Sequence, residues 1–288
     1  MFRGCCTALI TPFDDNNNVN FCEFAHIIDD QIDSGVNALL FLGTTGESPT
    51  LTEEEKLKII DFAVKKVNHR VPVLAGAGTN DTMKTIYTAN QYKELGVDGL
   101  MVVTPYYNKG TQEGLYQHFK LIAENVDCPI YLYNVPSRTG IDLKPETIVK
   151  LSKIKNIVGL KQAYSDLNEL MEIVYNCEDD FSVYSGEDAL TYVMMSVGAK
   201  GVVSVASNVL PKYMSELCYR YFSGEQKKSL IMQHKINPLI KQLFSEVNPI
   251  PIKHAMNYIG YKVGKPRLPL TEMQNKKNLE KEIEKLLT

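Results

Sequence analysis

A lysine closes the apolar run Asn156-Ile157-Val158-Gly159-Leu160-Lys161, and Tyr133 and Arg138 stand shortly upstream in Tyr133-Asn134-Val135-Pro136-Ser137-Arg138-Thr139-Gly140. Most lysines just past a strand are solvated charges. An amine held in apolar surroundings behaves differently: it loses its proton more easily and attacks carbonyl carbon. A second segment, Gly43-Thr44-Thr45-Gly46-Glu47-Ser48, offers backbone N–H groups and two hydroxyls to a small anion. It lacks the Gly-Lys-Ser/Thr ending of a nucleotide-binding loop, so a small carboxylate suits it better than ATP or GTP. Arg138 has the planar fork that recognises a further carboxylate. Tyr107 and Tyr133, with a threonine, supply hydroxyls for a proton relay. Glu47 reads as a brace for its loop rather than as a base.

These residues matter only if the fold gathers them. Short apolar runs at Cys6–Ile10, Ala38–Leu42, Val71–Ala75, Gly99–Val103, Ile130–Tyr133, Ile157–Lys161, Phe181–Ser185 and Gly201–Val205 read as strands, each followed by a helical pattern. Asn20 with Glu23, and Thr52 with Glu55, have capping-box spacing. Asp81 opens a helix that stops at Gly96, Pro145 begins one through Leu151, and Pro211 another ending near Gly224. Eight near-continuous apolar strands alternating with helices predict a closed α/β barrel of the (β/α)8 TIM type. An open doubly wound sheet would favour a glycine-rich turn after the first strand, and Thr11-Pro12-Phe13-Asp14 is not one. Residues 1–224 are therefore expected to form the barrel, and 225–288 a C-terminal helical region with helices at Gln226–Phe244, Ile250–Ile259 and Thr271–Leu287. In such barrels chemistry sits at the carboxyl ends of the strands. The Thr44-Thr45 loop, Tyr107, Tyr133, Lys161 and Gly186-Glu187-Asp188 all fall there.

The 288 residues are 44% hydrophobic and 23% charged, with a formal net charge of −3, which makes no electrostatic case for nucleic acid or an anionic membrane. The six cysteines show no metal-ligand spacing and are expected to be free thiols, Cys5 and Cys6 facing opposite ways on one strand. His26, His69, His118, His234 and His254 read as surface or interface residues, so no metal is expected. With no apolar run of spanning length and no signal-peptide pattern, the expected setting is the cytoplasm.

Taken together, Gly43-Thr44-Thr45-Gly46-Glu47, the Tyr133–Gly140 segment and Gly159-Leu160-Lys161 resemble the dihydrodipicolinate synthase / N-acetylneuraminate lyase family. The likeness extends from Gly4-x-x-Thr7-Ala8-Leu9-Ile10-Thr11-Pro12-Phe13 to Pro251 and Arg267-Leu268-Pro269-Leu270. It implies a class I aldolase-type lyase on a barrel with a C-terminal helical region. Within the family it favours the branch that condenses pyruvate with L-aspartate 4-semialdehyde in diaminopimelate and lysine biosynthesis. A sibling lyase for N-acetylneuraminate or a 2-keto-3-deoxy sugar acid is the alternative.

By the same resemblance Lys161 forms the Schiff base with pyruvate, Tyr133 shuttles protons, and Thr45 links Tyr133 to Tyr107. Thr44 and Thr45 hold the pyruvate carboxylate, Arg138 binds that of the semialdehyde, and Gly186 and Val203 line the pocket through backbone groups. No cofactor is implied, because the imine is the electron sink. The partners implied are copies of the same chain, a tetramer or otherwise a dimer, with Tyr107 entering the neighbour's site. The family's lysine-effector cleft matches Ser48, Pro49, Glu53, Lys56, Asn80, Lys84 and Tyr106. Lysine-inhibited members carry a histidine at the position of Lys56 and an acid at that of Lys84, so two lysines here imply weak or absent feedback inhibition. Gln162-Ala163-Tyr164 also departs from the family's more usual Glu-Ala-Ser/Thr and bears on pocket shape.

Overall fold

The computed structural model describes residues 2–287. Eight parallel strands close a barrel in sequence order: β1 (Gly4–Ala8), β2 (Ala38–Phe41), β3 (Val73–Gly76), β4 (Gly99–Val103), β5 (Ile130–Asn134), β6 (Ile157–Gln162), β7 (Ser182–Ser185) and β8 (Gly201–Ser204). Between them run α1 (Phe21–Asp33), α2 (Glu53–Val67), α3 (Thr82–Glu94), α4 (Gln112–Asn125), α5 (Pro136–Thr139), α6 (Pro145–Ser152), α7 (Leu167–Asn176) and α8 (Thr191–Ser196). Then follow α9 (Pro211–Phe222), α10 (Gln226–Leu243), α11 (Ile250–Tyr258) and α12 (Lys276–Leu287). Among the described residues no helix is long and apolar enough to cross a membrane.

Alternation along the strands builds two cores. The larger lies between strands and helices and takes in Cys5, Leu39, Leu100 and Leu160, together with Ile236 and Leu239 of α10. The C-terminal helices therefore share the barrel's core. The smaller fills the barrel itself with Cys6, Leu40, Met101, Tyr131, Tyr184 and Val203. Phe2 joins it, its ring 4.1 Å from that of Tyr184, whose hydroxyl donates to the Phe2 carbonyl. Cys5 and Cys6 do face opposite ways.

Several boundaries move for local reasons. Strand β1 starts at Gly4 rather than Cys6, because Gly4 and Gly201 let β1 and β8 approach more closely than side chains allow. A Cβ on Gly201 would lie 1.8 Å from the Gly4 carbonyl oxygen. Strand β3 begins after Pro72, which has no N–H to give to a ladder. Thr52 and Glu55 make both halves of the expected capping box. Asn20 accepts from the Glu23 N–H, but the Glu23 carboxylate accepts instead from the Lys262 N–H, 2.8 Å away. Helix α12 starts five residues later than expected. The N–H groups of Gln274 and Asn275 point to the Glu246 carboxylate and stay out of the helix. Helix α5 is an addition, a single turn closed by left-handed Gly140.

His118 is not a surface residue. It is buried between α3 and α4, bonded through Nδ1 to the Thr82 hydroxyl at 2.9 Å, and burial pushes its pKa down to about 4.

The closure between β1 and β8 is fastened at the mouth by Asn208. Its fully buried carboxamide accepts from the Ile10 N–H and donates to the carbonyls of Ala8 and Val205. Asn208→Ala strands three buried backbone groups, and we expect a loss of about 3 kcal/mol in unfolding free energy, read from urea denaturation midpoints.

Candidate active site

Lys161 lies on the inner face of β6 with only 6% of its surface exposed. It pairs in register with Tyr133 of β5 and Tyr184 of β7. Its Nζ sits over the Tyr133 ring, 4.3 Å from the centroid, a placement that favours a cation on an aromatic face. Below it lies the Cys6 thiol, pushed up by burial to about 12. The lysine therefore stands at the top of the apolar barrel core, facing the mouth.

The Thr44-Thr45 loop is a tight turn. The Gly46 N–H donates to the Gly43 carbonyl and the Glu47 N–H to that of Thr44, while the Thr11 hydroxyl holds the Gly46 carbonyl at 2.7 Å. A Cβ on Gly46 would press on the Leu9 oxygen at 3.2 Å and the Leu42 nitrogen at 3.3 Å. Glu47 sits left-handed at φ 55° and turns its carboxylate inward. There it meets Lys253 Nζ of α11 at 2.5 Å and the Arg267 N–H at 2.8 Å. Both charged side chains are 1% exposed. Lys253 also donates to the Lys265 carbonyl and faces the Phe13 ring. Burial pulls its pKa down to about 8, opposed by the Glu47 charge. Glu47 thus braces its loop, as expected.

Asn248, in the connection between α10 and α11, ties the site's halves together. Its Nδ2 donates to Thr45 Oγ1 at 2.9 Å, and its backbone carbonyl accepts from Arg138 Nη2 at 3.3 Å. Arg138 itself projects from α5 with its side chain accessible. Gly186 follows β7, where its N–H donates to the Gln162 carbonyl and an added Cβ would lie 2.7 Å from that of Ala163.

A cavity of about 630 Å³ joins these groups. Thr44, Thr45, Tyr133, Arg138, Lys161 and Gly186 line it, and it runs on without interruption to Ser48, Pro49, Glu53, Lys56, Asn80, Lys84 and Tyr106. Two expected residues are not among those lining the cavity within one chain. Val203 is buried in the inner core, one layer below the cavity, and Val205, two residues on, lines the wall. Tyr107 lies outside the cavity, 88% exposed, at φ 76°. Within one chain it is not gathered with Thr45 and Tyr133. Asn248 had no signal in the sequence, since it comes from the helical tail and not from a strand end. Glu187 stood in a strand-end segment without a role, and it too lines the cavity. Among the described residues no group of three or more His, Cys, Asp or Glu could hold a metal ion.

The family model for the dihydrodipicolinate synthetase family matches residues 1–287. A 4-hydroxy-tetrahydrodipicolinate synthase of Thermotoga petrophila is 46% identical over 280 residues, 96% of this chain and 95% of its own. One from Acetivibrio thermocellus is 46% identical over 96% of this chain and 94% of its own. The crystal structure of dihydrodipicolinate synthase from Thermotoga maritima superposes with a TM-score of 0.96 at 44% identity, covering 100% of this chain and 98% of that one. An inward-facing lysine at a barrel mouth, beside a tyrosine and a hydroxyl loop, is thus part of a likeness that spans the whole chain, which belongs to the dihydrodipicolinate synthetase family.

Proposed function

We propose that the protein is a 4-hydroxy-tetrahydrodipicolinate synthase, condensing pyruvate with L-aspartate 4-semialdehyde. The observation that carries this reading is Lys161, an amine buried against the Tyr133 ring at the floor of a cavity. Its amine adds to the keto carbon of pyruvate and expels water, giving an imine. The carboxylate of pyruvate lies on the Thr44 and Thr45 hydroxyls and the N–H groups of their turn. Protonated, the imine draws electrons from the neighbouring methyl, which loses a proton to become an enamine carbon. That carbon attacks the aldehyde of the second substrate. Tyr133 moves the protons, and Thr45 connects it to the relay.

The Asn248 Nδ2–H occupies an acceptor position on Thr45 Oγ1. The Thr45 hydroxyl is then free to donate its own proton to a phenol. Arg138, held through Nη2 by the Asn248 carbonyl, takes the semialdehyde carboxylate at the rim. A short acidic aldehyde suits this arginine better than the long polyhydroxylated chain of a sugar-acid lyase. The amine of the condensed semialdehyde then attacks the imine carbon, closing a six-membered ring and expelling the free Lys161 amine. Every bond made or broken thus lies between the lysine and the two substrates, so the reading requires no external cofactor. The exposed Tyr107 completes the relay in a neighbouring copy, and the working form is a homo-oligomer, a tetramer in preference to a dimer.

Borohydride reduction in the presence of pyruvate should trap one adduct, found by mass spectrometry on the Lys161 peptide and absent in Lys161→Ala. No adduct on the wild-type chain would end this reading. For Arg138→Ala, pyruvate trapping should persist while kcat/KM for the semialdehyde falls about 100-fold, the loss of a charge-assisted bidentate contact. Equal loss of imine formation would contradict the assignment.

The distal end of the cavity bears on regulation. Glu53, the carboxylate there, is 3.1 Å from Lys56 Nζ and 3.7 Å from Lys84 Nζ. An incoming lysine would have to displace both cations from Glu53 and approach two like charges. We expect steady-state rates to be unchanged by sub-millimolar lysine, and strong inhibition in that range would refute it.

A further inference from the structure

The cavity wall carries six charged side chains: Glu53, Lys56, Lys84, Arg138, Lys161 and Glu187. Of its two carboxylates, Glu53 is already neutralised by the two lysines beside it. The Glu187 carboxylate makes no ion pair and no side-chain hydrogen bond among the described residues. It is nonetheless half-buried, and burial raises its pKa, with Asp188 adding to the rise and Lys161 and Arg138 opposing it. A carboxylate kept from water without a partner is a cost, and an incoming cation would relieve it.

Its position is built, not incidental. The Gly186 N–H bonds the Gln162 carbonyl, next to Lys161, and Gly186 is packed so tightly against Ala163 that it has no room for a Cβ. The Ser185 hydroxyl then grips Glu187 from both sides, donating to its carbonyl at 2.8 Å and accepting from its N–H at 3.1 Å. Arg138, Lys161 and Glu187 consequently stand at the ends of three adjacent strands, β5, β6 and β7, in that order.

We infer that Glu187 binds the α-ammonium group of the second substrate, which makes it the residue that selects an α-amino aldehyde over one without the amine. The inference rests on the proposed activity and adds to it. In aspartate 4-semialdehyde the carboxylate and ammonium share one carbon, with the aldehyde two bonds away. With the aldehyde over the enamine on Lys161, the carboxylate turns to Arg138 on one side and the ammonium to Glu187 on the other. Three fixed points around one carbon also distinguish its two hands. Arg138 alone would accept any short aldehyde acid equally well.

Glu187→Gln keeps the shape and removes the charge. Three measurements decide the matter: borohydride trapping of pyruvate, KM for L-aspartate 4-semialdehyde, and the inhibition constant of succinate semialdehyde, which has the same chain without the amine. The expected result is normal trapping, a KM raised about 10- to 100-fold, and a succinate semialdehyde constant unchanged or lower. Trapping reports that the variant is folded with Lys161 in place. A KM within about twofold of wild type, or equal weakening of both aldehydes, would overturn the inference. Failure of the wild-type chain to turn over the semialdehyde would instead overturn the proposed activity, so the two failures are distinguishable.

Discussion

The site depends on one buried ion pair, Glu47 with Lys253. Removing two charges from water is expensive, and such a pair persists only where further bonds satisfy what remains. Here the Arg267 N–H takes the second carboxylate oxygen, the Lys265 carbonyl takes an ammonium proton, and the Phe13 ring faces the cation. Arg267 continues the chain of contacts by gripping Glu55, whose carboxylate also caps α2. The return on this arrangement is geometric. Glu47 is left-handed with its carboxylate held inward, and the Thr44-Thr45 turn that leads into it lines the same cavity as Lys161. Losing either partner would strand the other as a buried charge, a heavier cost than the pair itself.

The same contacts explain why the helical tail belongs to the site. Lys253 and Asn248 both come from the region after the barrel, one beneath the hydroxyl loop and the other above it. Asn248 spans Thr45 and Arg138, residues on different strand ends that do not otherwise meet. A barrel ending at Gly224 would keep Lys161 and Tyr133 but would lose the fixed direction of the Thr45 hydroxyl. Gln233 of α10 reinforces the junction, accepting from the Tyr192 N–H and donating to the Asp188 carbonyl. The Asp188 carboxylate in turn accepts the Val205 and Ala206 N–H groups at the β8 end of the mouth.

Much of this was legible in the sequence, for identifiable reasons. Strands covered on both faces read as unbroken apolar runs, so β1 to β8 stood out, and their ends carried Thr44, Thr45, Tyr133, Lys161 and Gly186. Boundaries were less legible where a single residue decides them, as with Pro72 or the Gly4–Gly201 contact. Depth was harder still. Val203 lies within β8 and packs into the inner core, while Val205 lies just past the strand's end, where the backbone turns helical and the residue reaches the cavity. The sequence marks neither the turn nor the depth. Asn248 was invisible because a loop between helices has no periodicity to mark it. His118 was misplaced because a histidine on an amphipathic helix gives no sign of which face it occupies. The Glu47–Lys253 pair joins positions about two hundred residues apart, and nothing local announces that separation.

Tyr107 is where a single chain stops being a sufficient description. A tyrosine at φ 76° costs about 1–2 kcal/mol relative to a relaxed backbone. A ring that is 88% exposed forgoes the burial that usually repays such strain. Among the described residues no contact recovers either loss, the one backbone bond at this residue being a long one, 3.5 Å, to the Thr139 carbonyl. Thr139 itself belongs to α5, the turn that carries Arg138, so the posture of Tyr107 is linked to that of the arginine. In the proposed assembly the ring regains its burial inside a neighbouring site and brings the hydroxyl that Thr45 lacks. Strain in one copy would then serve chemistry in the next, with each copy holding its Arg138 and its Tyr107 on the same stretch of backbone.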